Sequence, residues 1–504
     1  MKTYYSVHLI VWQSLFLLLL ILACKDHSIA QGRNHNWLIG YDVALFDTNV
    51  TSTKARFLFD SSNLTVISET RKMPFRATQG NISDENGNLI IVSNGCWIAN
   101  ATGDTMLNGG GLNPGYLTSQ WCDNTTGMPL PHGNVILPFP GDSTMYILLH
   151  QIETKLFYSL IDMTLDGGLG GVIQKNILVI QDTLSWGFSV CKHANGRDWW
   201  IVTLKDNSNI IYKVLLTPDT IASISTQQVN FPAIYNSGGQ PTFSPDGTKF
   251  AYTFGYGGPN GWHDVRVLNF DRCSGNLDSL VYIPPIPILG IGLAFSSNSN
   301  YLYHASWNKL IQLNLNTLTQ DTVAVNDGFY SPYPPFQTDF FLMYLAANGK
   351  IYVSSGNGVI DMHVINSPDS AGLACDVQQH SLHTPCFFVR SNVLHPNYYL
   401  GPVLGSVCDT LGLGWEDLPH NFHFSVSPNP NNGNLKIAYL LPQNESVKLE
   451  IFNINGQRVY EMKLPQWSTM QEVLLPVNIS SGIYNCVISS DTAKFTKKIA
   501  VMRE

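Results

Sequence analysis

At residues 243–252 the chain reads FSPDGTKFAY, a tight-turn sequence that leads directly into an apolar segment. An Asp-Gly pair supplies the positive φ angles that a two-residue hairpin turn needs. After this turn, Phe250, Ala251 and Tyr252 place apolar side chains at consecutive positions, which is typical of a strand that is covered on both faces. The stretch therefore predicts a hairpin whose second strand is fully buried.

The same unit of turn and apolar strand occurs six times, and successive turns lie 50 to 55 residues apart. A period of about 50 residues built from short strands is typical of the four-stranded blade of a β-propeller. In a propeller each blade is sandwiched between two neighbours, which accounts for strands that are apolar at consecutive positions. A tandem of β-sandwiches would not produce so even a spacing. The six units are Asn86-Gly87-Asn88 before Leu89–Val92, Gly141-Asp142-Ser143 before Met145–Leu148, Asn195-Gly196-Arg197 before Trp199–Val202, Asp246-Gly247-Thr248 before Phe250–Tyr252, Asn298-Ser299-Asn300 before Tyr301–Tyr303, and Asn348-Gly349-Lys350 before Ile351–Val353.

The segments outside the six units indicate how the ring closes. Residues 36–83 and 361–401 could together supply one further blade, by pairing the two ends of the body. We therefore predict an all-β body at residues 36–405 that forms a seven-bladed β-propeller, with six blades as the alternative.

The sequence FSPDGTKFAY also resembles a known blade signature. The pattern F-S-P-D-G-x-x-x-A-Y is found in the propellers related to the Tol-Pal periplasmic protein and to WD repeats. Residues 292–303, GLAFSSNSNYLY, are a drifted copy that lacks the Asp-Gly pair. The resemblance implies a propeller fold and no particular chemistry.

The composition favours an all-β fold and argues against nucleic-acid binding. Charged residues make up 13% of the 504 residues, about half the usual share. In their place stand 41 Gly and 27 Pro, which are residues of tight turns. The formal net charge is −8 and no basic cluster is present. Because a nucleic-acid binder needs a cationic surface, we expect no nucleic-acid partner.

The N-terminus is typical of an export signal. Lys2 precedes an apolar run at residues 9–23, which is interrupted by polar residues and too short for a membrane span. Small residues before Gln31 predict cleavage at that point, so that residues 1–30 form a signal peptide. The alternative is a lipoprotein signal in which Cys24 is acylated.

Removal of the signal peptide leaves eight scattered cysteines and no C-x-x-C pair. Zinc sites usually need such close pairs, so we expect no metal site. Disulfides are common in exported proteins, and Cys96–Cys122 and Cys375–Cys386 are candidate pairs because each closes a short loop. The connectivity stays open, since spacing alone does not fix it.

The character of the chain changes after residue 405. We predict a linker at residues 406–422 and a separate domain at residues 423–504. In this domain apolar and polar side chains alternate, which indicates strands with one face inside a core. About seven short strands in such a length are typical of a small immunoglobulin-like β-sandwich.

Several spaced motifs in this domain resemble the type A sorting domain of the type IX secretion system. P-N-P-x-x-G-x-L opens the domain, I-x-N-x-x-G-x-x-V lies in its middle, S-G-I-Y follows, and K-K-I-A-V lies near its end. One departure is Cys486, where an aliphatic residue is expected. The motif residues are Pro428, Asn429, Pro430, Gly433, Gly456, Gly482, Tyr484, Lys497 and Lys498.

The resemblance implies Sec export, recognition by the outer-membrane translocon of type IX secretion, and removal of the domain by a sortase with attachment to the cell surface. It disfavours the lipoprotein signal, because proteins exported by this route carry an ordinary cleavable signal. We therefore expect a secreted protein that is extracellular or anchored on the outer cell surface.

The densest group of polar and aromatic residues reads HANGRDWW and begins at His193. His193 and Asp198 could act as acid and base, with Arg197 nearby and Trp199 stacking on a sugar. The alternative, which we favour, is a hairpin turn that enters a strand. Consecutive strand residues face opposite sides, so Trp199 and Trp200 would then be buried against different blades.

No sequence motif identifies a catalytic, nucleotide or cofactor site. We therefore predict an exported binding or interaction protein whose propeller takes a glycan or protein ligand. The alternative is a surface polysaccharide hydrolase or lyase with its site at the propeller mouth. That alternative requires two facing carboxylates, of which one has a raised pKa. A purely structural surface component is a third interpretation.

Overall fold

The computed structural model describes two compact units that divide at residue 400. The first holds the chain up to Leu400 apart from residues 194–196, and the second holds those three residues and the chain from Gly401. The predicted signal peptide, with both processing sites, lies outside the described residues. No helix in the part of the chain that is described is long and apolar enough to cross a membrane. The described residues are 32–42, 53–59, 63–122, 126–233, 238–256, 261–287, 290–332, 335–409, 423–427, 431–432, 434–440, 447–453, 456–464, 471–476, 479–489 and 494–503.

The first unit is built from antiparallel sheets that follow one another along the chain. Its N-terminal sheet has three strands: β1 (Asn36–Ile39), β2 (Lys54–Phe59) and β3 (Leu64–Glu69). The next three blades consist of β4 (Gly80–Ser83), β5 (Leu89–Ser93), β6 (Trp97–Ala99) and β7 (Thr105–Gly110); β8 (Asn134–Pro138), β9 (Met145–Ile152), β10 (Lys155–Asp162) and β11 (Gly171–Gln181); and β12 (Leu184–Lys192), β13 (Trp199–Lys205), β14 (Ile210–Thr217) and β15 (Thr220–Gln228). The last three consist of β16 (Thr242–Phe243), β17 (Lys249–Tyr256), β18 (Trp262–Phe270) and β19 (Leu277–Pro287); β20 (Leu293–Phe295), β21 (Tyr301–Ser306), β22 (Lys309–Asn314) and β23 (Gln320–Val325); and β24 (Met343–Leu345), β25 (Ile351–Val353), β26 (Val359–Ile365) and β27 (Val377–Phe388).

The six four-stranded blades are arranged as a propeller. The first strand of each blade lies innermost, where β4 contacts β8, β12 contacts β16, and β16, β20 and β24 contact one another in turn. Within each blade the strands then follow in chain order towards the outside. The outer strands of the first two blades, β7 and β11, pair in parallel, which joins these blades into one eight-stranded sheet. The predicted propeller fold is therefore confirmed.

Helical structure in the described residues is short and lies between strands. Helix α1 (Tyr116–Trp121) connects β7 with β8. Two short 3₁₀ turns, Asp166–Gly168 and Gly372–Cys375, precede the outermost strands of their blades.

All six predicted turns join the innermost strand of a blade to its second strand. One residue of each turn has a positive φ, for example +70° at Gly247 and +59° at Ser299. The N–H of Gly247 donates to the carbonyl of Ser244 at 2.8 Å, so the glycine closes a four-residue turn. The sequence predicted a two-residue turn. In the four-residue turn that forms instead, the second and third residues make the bend and glycine is favoured at the fourth position.

The side chains of the turn at residues 244–248 fix its shape. The Ser244 Oγ donates to Asp246 Oδ1 at 2.5 Å, and that oxygen also accepts from the Thr248 N–H at 3.0 Å. In the drifted copy, Ser296 and Asn298 make the same first contact at 2.8 Å. An amide oxygen replaces the carboxylate without loss of the turn, because either group accepts the hydrogen bonds.

The ring is closed by both ends of the body, as the sequence predicted. The N-terminal sheet packs between β27 and β4, as the outer three strands of a seventh blade. The chain that follows β27 lies at the inner edge of that blade. There Ser391 Oγ donates to Gln79 Oε1 at 3.0 Å, and Asn392 Nδ2 donates to the Met343 carbonyl at 2.7 Å. Residues after the last blade therefore hydrogen-bond to the blades on both sides.

Apolar clusters fill the spaces between neighbouring blades. Trp199 is fully buried and its Nε1 donates to the Pro138 carbonyl at 3.2 Å, on the preceding blade. Trp200 faces the other way, and its Nε1 donates to the Arg272 carbonyl at 2.8 Å, on the following blade. The predicted burial of the two indoles against different blades is confirmed.

Cys96 and Cys122 form a disulfide, which is one of the two candidate pairs. The other pair is wrong, because Cys375 and Cys386 are buried free thiols in different apolar clusters. Burial raises the pKa of Cys386 to about 12 and also raises that of Cys375. Both residues flank the same blade, and closeness in sequence did not bring their sulfur atoms together.

The second unit contains a β-sandwich, as predicted. One sheet consists of β28 (His423–Ser427), β29 (Asn434–Leu440) and β32 (Gln471–Pro476). The other consists of β30 (Val447–Asn453), β31 (Arg458–Leu464), β33 (Gly482–Ser489) and β34 (Lys494–Val501). Leu435 and Ile437 from the first sheet pack against Leu449 and Ile451 from the second. Cys486 lies fully buried in this core, so the departure from an aliphatic residue is accommodated by packing.

Several histidines of the propeller are kept neutral by burial. Burial lowers the pKa of His150 and His304 to about 3, and that of His132 and His363 to about 4. The Nδ1 of His150 lies 2.8 Å from the amide oxygen of Asn113, and its Nε2 lies 3.0 Å from Ser159 Oγ. A neutral ring that donates through Nδ1 and accepts through Nε2 satisfies both contacts.

Substitution of Gly247 tests the packed ring. A Cβ at this position would lie 2.8 Å from Cys191 Sγ and 2.8 Å from Leu400 Cδ2, whereas at Gly349 the nearest atom, Ser297 Oγ, is 3.6 Å away. Both glycines have positive φ, so Gly247→Val should lower the free energy of unfolding by about 2 kcal/mol more than Gly349→Val.

Thermal unfolding with limited proteolysis measures this difference. We expect cooperative loss of the whole propeller, since each blade packs against two others. Equal destabilisation by the two substitutions, or cleavage confined to the turn, would contradict a closed ring.

The buried histidines predict acid sensitivity. Their folded pKa values lie below the ordinary value of about 6.5, so the unfolded chain binds more protons between about pH 6.5 and 3. Stability should be complete above pH 6.5 and decrease as the pH falls through this range. His150→Gln should reduce the slope of melting temperature against pH, because the glutamine side chain does not titrate. Equal slopes in His150→Gln and in the unchanged protein would contradict the assignment.

Candidate binding cavity on the propeller axis

A cavity of about 770 Å³ lies on the axis of the propeller. Its wall is formed by β12, β16, β20 and β24 and by residues 393–400, the segment that follows the last blade. Residues of the turns after β16, β20 and β24 also line it, so it reaches the end of the ring where these turns lie, which we call the hairpin end. Sites for small molecules are typically clefts of roughly 300–1,000 Å³, so this cavity has a suitable size.

Gln240 connects the strands around the cavity. Its Oε1 accepts from the N–H groups of Leu293 at 3.1 Å and Met343 at 3.0 Å, and its Nε2 donates to the Met343 carbonyl at 2.6 Å. One buried side chain thereby hydrogen-bonds the innermost strands of the two following blades. Since both of its polar atoms are engaged, Gln240 shapes the cavity wall.

His395 contributes a neutral imidazole to the wall. Its Nε2 lies 3.0 Å from the carbonyl of Asn81 and therefore donates, which leaves Nδ1 to accept from the Tyr344 hydroxyl at 2.8 Å. Burial lowers the pKa of His395 to about 4 and raises that of Tyr344. Both side chains are therefore uncharged at neutral pH. The Asn81 carbonyl fixes the tautomer of His395, and the two hydrogen bonds fix the orientation of its ring.

Lys192 supplies the cationic group of the cavity. Its Nζ donates to the carbonyl of Arg197 at 3.1 Å and lies 3.9 Å from the ring centroid of Trp199. Burial, followed by the charges of Arg33 and Arg272, lowers the pKa of Lys192 to about 7. In the part of the chain that the structure describes, no carboxylate forms an ion pair with this ammonium group.

Cys191 also lines the cavity, but its thiol is not activated as a nucleophile. Burial raises the pKa of its thiol to about 12, so it stays protonated at neutral pH. The thiolate is the reactive form of cysteine. Cys191 therefore acts as a small packing residue in this wall.

The described lining residues include neither Asp nor Glu. A glycoside hydrolase needs two carboxyl groups on opposite sides of the bond that it cleaves. The carboxylate pair that would favour a hydrolase is therefore not found among them. Within the same described ranges, no group of three His, Cys, Asp or Glu side chains has the geometry of a metal site.

The predicted binding cluster is a folded turn beside the cavity. Arg197 and Asp198 form an ion pair at 2.6 Å, and His193 Nε2 lies 3.1 Å from the Cys273 carbonyl. Trp199 is fully buried, so its ring does not reach the surface. None of these four residues lines the cavity, but the carbonyl of Arg197 and the ring of Trp199 hold Lys192, which does. A basic residue at the end of a buried strand was the signal that sequence analysis missed.

The sorting-domain motifs are described in part. Pro428, Asn429, Pro430 and Gly433 lie outside the described residues. Gly456 has a φ of +76°, and Gly482 begins β33. Tyr484 is buried and donates to the Ser480 carbonyl at 2.9 Å, while Lys497 and Lys498 lie on β34.

Solved structures similar to this chain include three proteins of low identity. A periplasmic gluconolactonase from Pseudomonas aeruginosa is 14% identical, with 70% of this chain and 97% of that chain covered and a TM-score of 0.39. The β-propeller domain of a Myceliophteria thermophila protein is 8% identical, with coverage of 60% and 86% and a TM-score of 0.35. A protein from Lactobacillus plantarum is 10% identical, with coverage of 87% and 99% and a TM-score of 0.33. At these values the likeness carries no inference about activity.

Comparison with protein families assigns the C-terminal region. No curated protein matches the chain. Residues 425–502 match the family described as the secretion system C-terminal sorting domain. This match agrees with the motifs and the β-sandwich of the second unit. The chain thus combines a β-propeller with a C-terminal domain of the secretion-system sorting family, which directs export through type IX secretion to the cell surface or the extracellular space.

Proposed function

We propose that this is an exported binding protein whose axial cavity holds a small saccharide. The observation that carries the proposal is the chemistry of the wall: fixed neutral groups, one ammonium group, and no carboxylate among the described lining residues. Such a wall can orient hydroxyl and carbonyl groups by hydrogen bonds. It offers no general acid and base pair for hydrolysis.

Lys192 determines which group of the ligand binds at its side of the cavity. A buried ammonium group without a paired carboxylate is poorly solvated, which accounts for its low pKa of about 7. A ligand oxygen that accepts from Nζ would restore part of the lost hydration. We therefore place an acceptor oxygen of the ligand, from a carbonyl, hydroxyl or carboxylate group, next to Lys192.

We propose that export involves two cleavages of the chain. A signal peptide at residues 1–30 would be removed before Gln31, and the sorting domain at residues 423–504 would be removed by a sortase with attachment to the cell surface. The apolar run near Lys2 supports the first step. The separate core of the sandwich supports independent folding of the two domains.

Deletion of residues 424–504 tests the export route. The truncated protein should accumulate in the periplasm with a folded propeller, because the apolar clusters of the first unit contain no residue beyond Leu400. Its mass should place the N-terminus at Gln31. Appearance of the truncated protein at the surface would contradict the sorting role, and a lipid-modified Cys24 would contradict the cleavage site.

Lys192→Met tests the cavity. A panel of mono- and disaccharides and sugar acids should contain ligands that raise the melting temperature of the full chain. Loss of one charge-assisted hydrogen bond should weaken them about tenfold or more in Lys192→Met. The control is Lys309→Met, since Lys309 is exposed at the start of β22.

Two results would contradict this assignment. Ligands that bind Lys192→Met as tightly as the unchanged protein would exclude the cavity. Products released from a bound saccharide would favour a hydrolase or lyase instead.

A further inference from the structure

Two arginines lie together at the end of the ring opposite the hairpin end. Arg76 lies between β3 and β4, and Arg390 directly follows β27. Trp121, at the end of α1, and Phe341, just before β24, lie beside them. All four residues are on connections that lead from an outermost strand to the inner edge of the next blade. These connections share one end of a propeller, which we call the connection end.

Each guanidinium group is held on an aromatic ring. The Cζ of Arg76 lies 4.8 Å from the ring centroid of Trp121, and the Cζ of Arg390 lies 5.5 Å from that of Phe341. The disulfide of Cys122 ties the end of α1 to the first blade. Stacking on an aromatic ring limits the freedom of a guanidinium group, so it arrives at a ligand already oriented.

Among the described residues, no carboxylate is hydrogen-bonded to either guanidinium group. Neither guanidinium group forms a hydrogen bond or an ion pair within the described residues. Partial burial, and then the charge of Arg76, lower the pKa of Arg390. Asp339 acts on Arg390 from a distance, but its carboxylate already accepts from Ser355 Oγ and from the Gly356 N–H, each at 2.6 Å. The two like charges therefore act on each other, and Arg390 is exposed to solvent.

The backbone at Arg390 is strained. Its φ is +49°, in the left-handed region, and its N–H donates to the Ser355 carbonyl at 3.1 Å. Such a conformation costs a residue with a side chain about 1–2 kcal/mol. Strained residues of this kind are concentrated at ligand sites, where the surrounding structure holds them in place. Here the strained residue is an exposed arginine on the connection that follows β27.

We propose that Arg76 and Arg390 bind one oxyanion group of an acidic polysaccharide, either a uronate carboxylate or a sulfate ester. Paired guanidinium groups match the planar oxygens of such groups. Tyr116, on the same helix as Trp121, is 77% exposed and offers a ring on which a sugar can stack. A nucleic acid fits less well, because the chain carries a net charge of −8 and no basic cluster.

This site lies beyond the proposed cavity function and does not depend on it. Burial raises the pKa of Tyr41, which lies close enough to Arg76 for their charges to interact. Its hydroxyl is therefore protonated at neutral pH and can donate to a further oxygen of the same sugar. Neither arginine is among the described residues that line the cavity, so each site can be altered without the other.

Calorimetric titration of the full chain tests the proposal with three probes: oligogalacturonate, a sulfated galactan oligosaccharide and a neutral galactan oligosaccharide. We expect binding of one or both acidic probes and none of the neutral one. Arg76→Gln and Arg390→Gln should each weaken binding about tenfold to a hundredfold. Arg390→Lys should lose several-fold, because it keeps the charge without the planar fork.

Controls separate this site from the cavity and from misfolding. Lys309→Gln removes an exposed positive charge elsewhere and should bind as the unchanged protein does. Binding of the acidic probes that is lost in Lys192→Met but kept in Arg76→Gln and Arg390→Gln would assign these probes to the cavity and overturn the proposal. Unchanged affinity in Arg76→Gln and Arg390→Gln at unaltered melting temperatures would overturn it as well. Tighter binding of a single-stranded oligonucleotide or an acidic peptide would assign a different partner and reject the polysaccharide.

Discussion

A ring of blades gains its stability only when the last blade seals against the first, because an open ring leaves two apolar faces in water. In this protein the seal is made by residues that are about 310 positions apart in sequence, as in the hydrogen bond between Ser391 and Gln79. The three N-terminal strands cannot complete a blade alone, and the chain after β27 supplies the missing inner edge. The same segment then continues to Leu400 and forms part of the cavity wall. Closure and the candidate site therefore depend on one stretch of chain.

The fold could be predicted largely because its signals are local. A turn with a positive φ and the following strand, which is buried on both faces, are encoded within ten residues. Repetition of this unit along the chain indicates the blades. The segments outside the six units indicated the seventh blade, but β26 and β27, which span most of the second segment, belong to the sixth blade. The turn type was wrong in detail, because Asp-Gly occurs in both short and longer hairpin turns. The pairing of Cys375 with Cys386 was also wrong, since sequence distance does not show on which side of a blade a side chain lies.

The candidate site could not be predicted in the same way. Lys192 looks ordinary in sequence, and its environment comes from a turn, a tryptophan and two arginines on other segments. His395 and Tyr344 meet across 51 positions. Arg76 and Arg390 are further apart, and only ring closure brings them together. The sequence signals a site when its residues are neighbours in a motif, whereas a propeller assembles its sites from connections of different blades.

The buried thiols have a consequence for the order of events during export. Cys191, Cys375, Cys386 and Cys486 are free and buried, and burial raises the pKa of each. In the folded protein they are protected from oxidation, because the thiolate is the form that reacts. In an unfolded chain that enters an oxidising compartment the same thiols are exposed and titrate normally. Folding therefore competes in time with the formation of wrong disulfides, and the yield of correct protein is set by how quickly the ring closes.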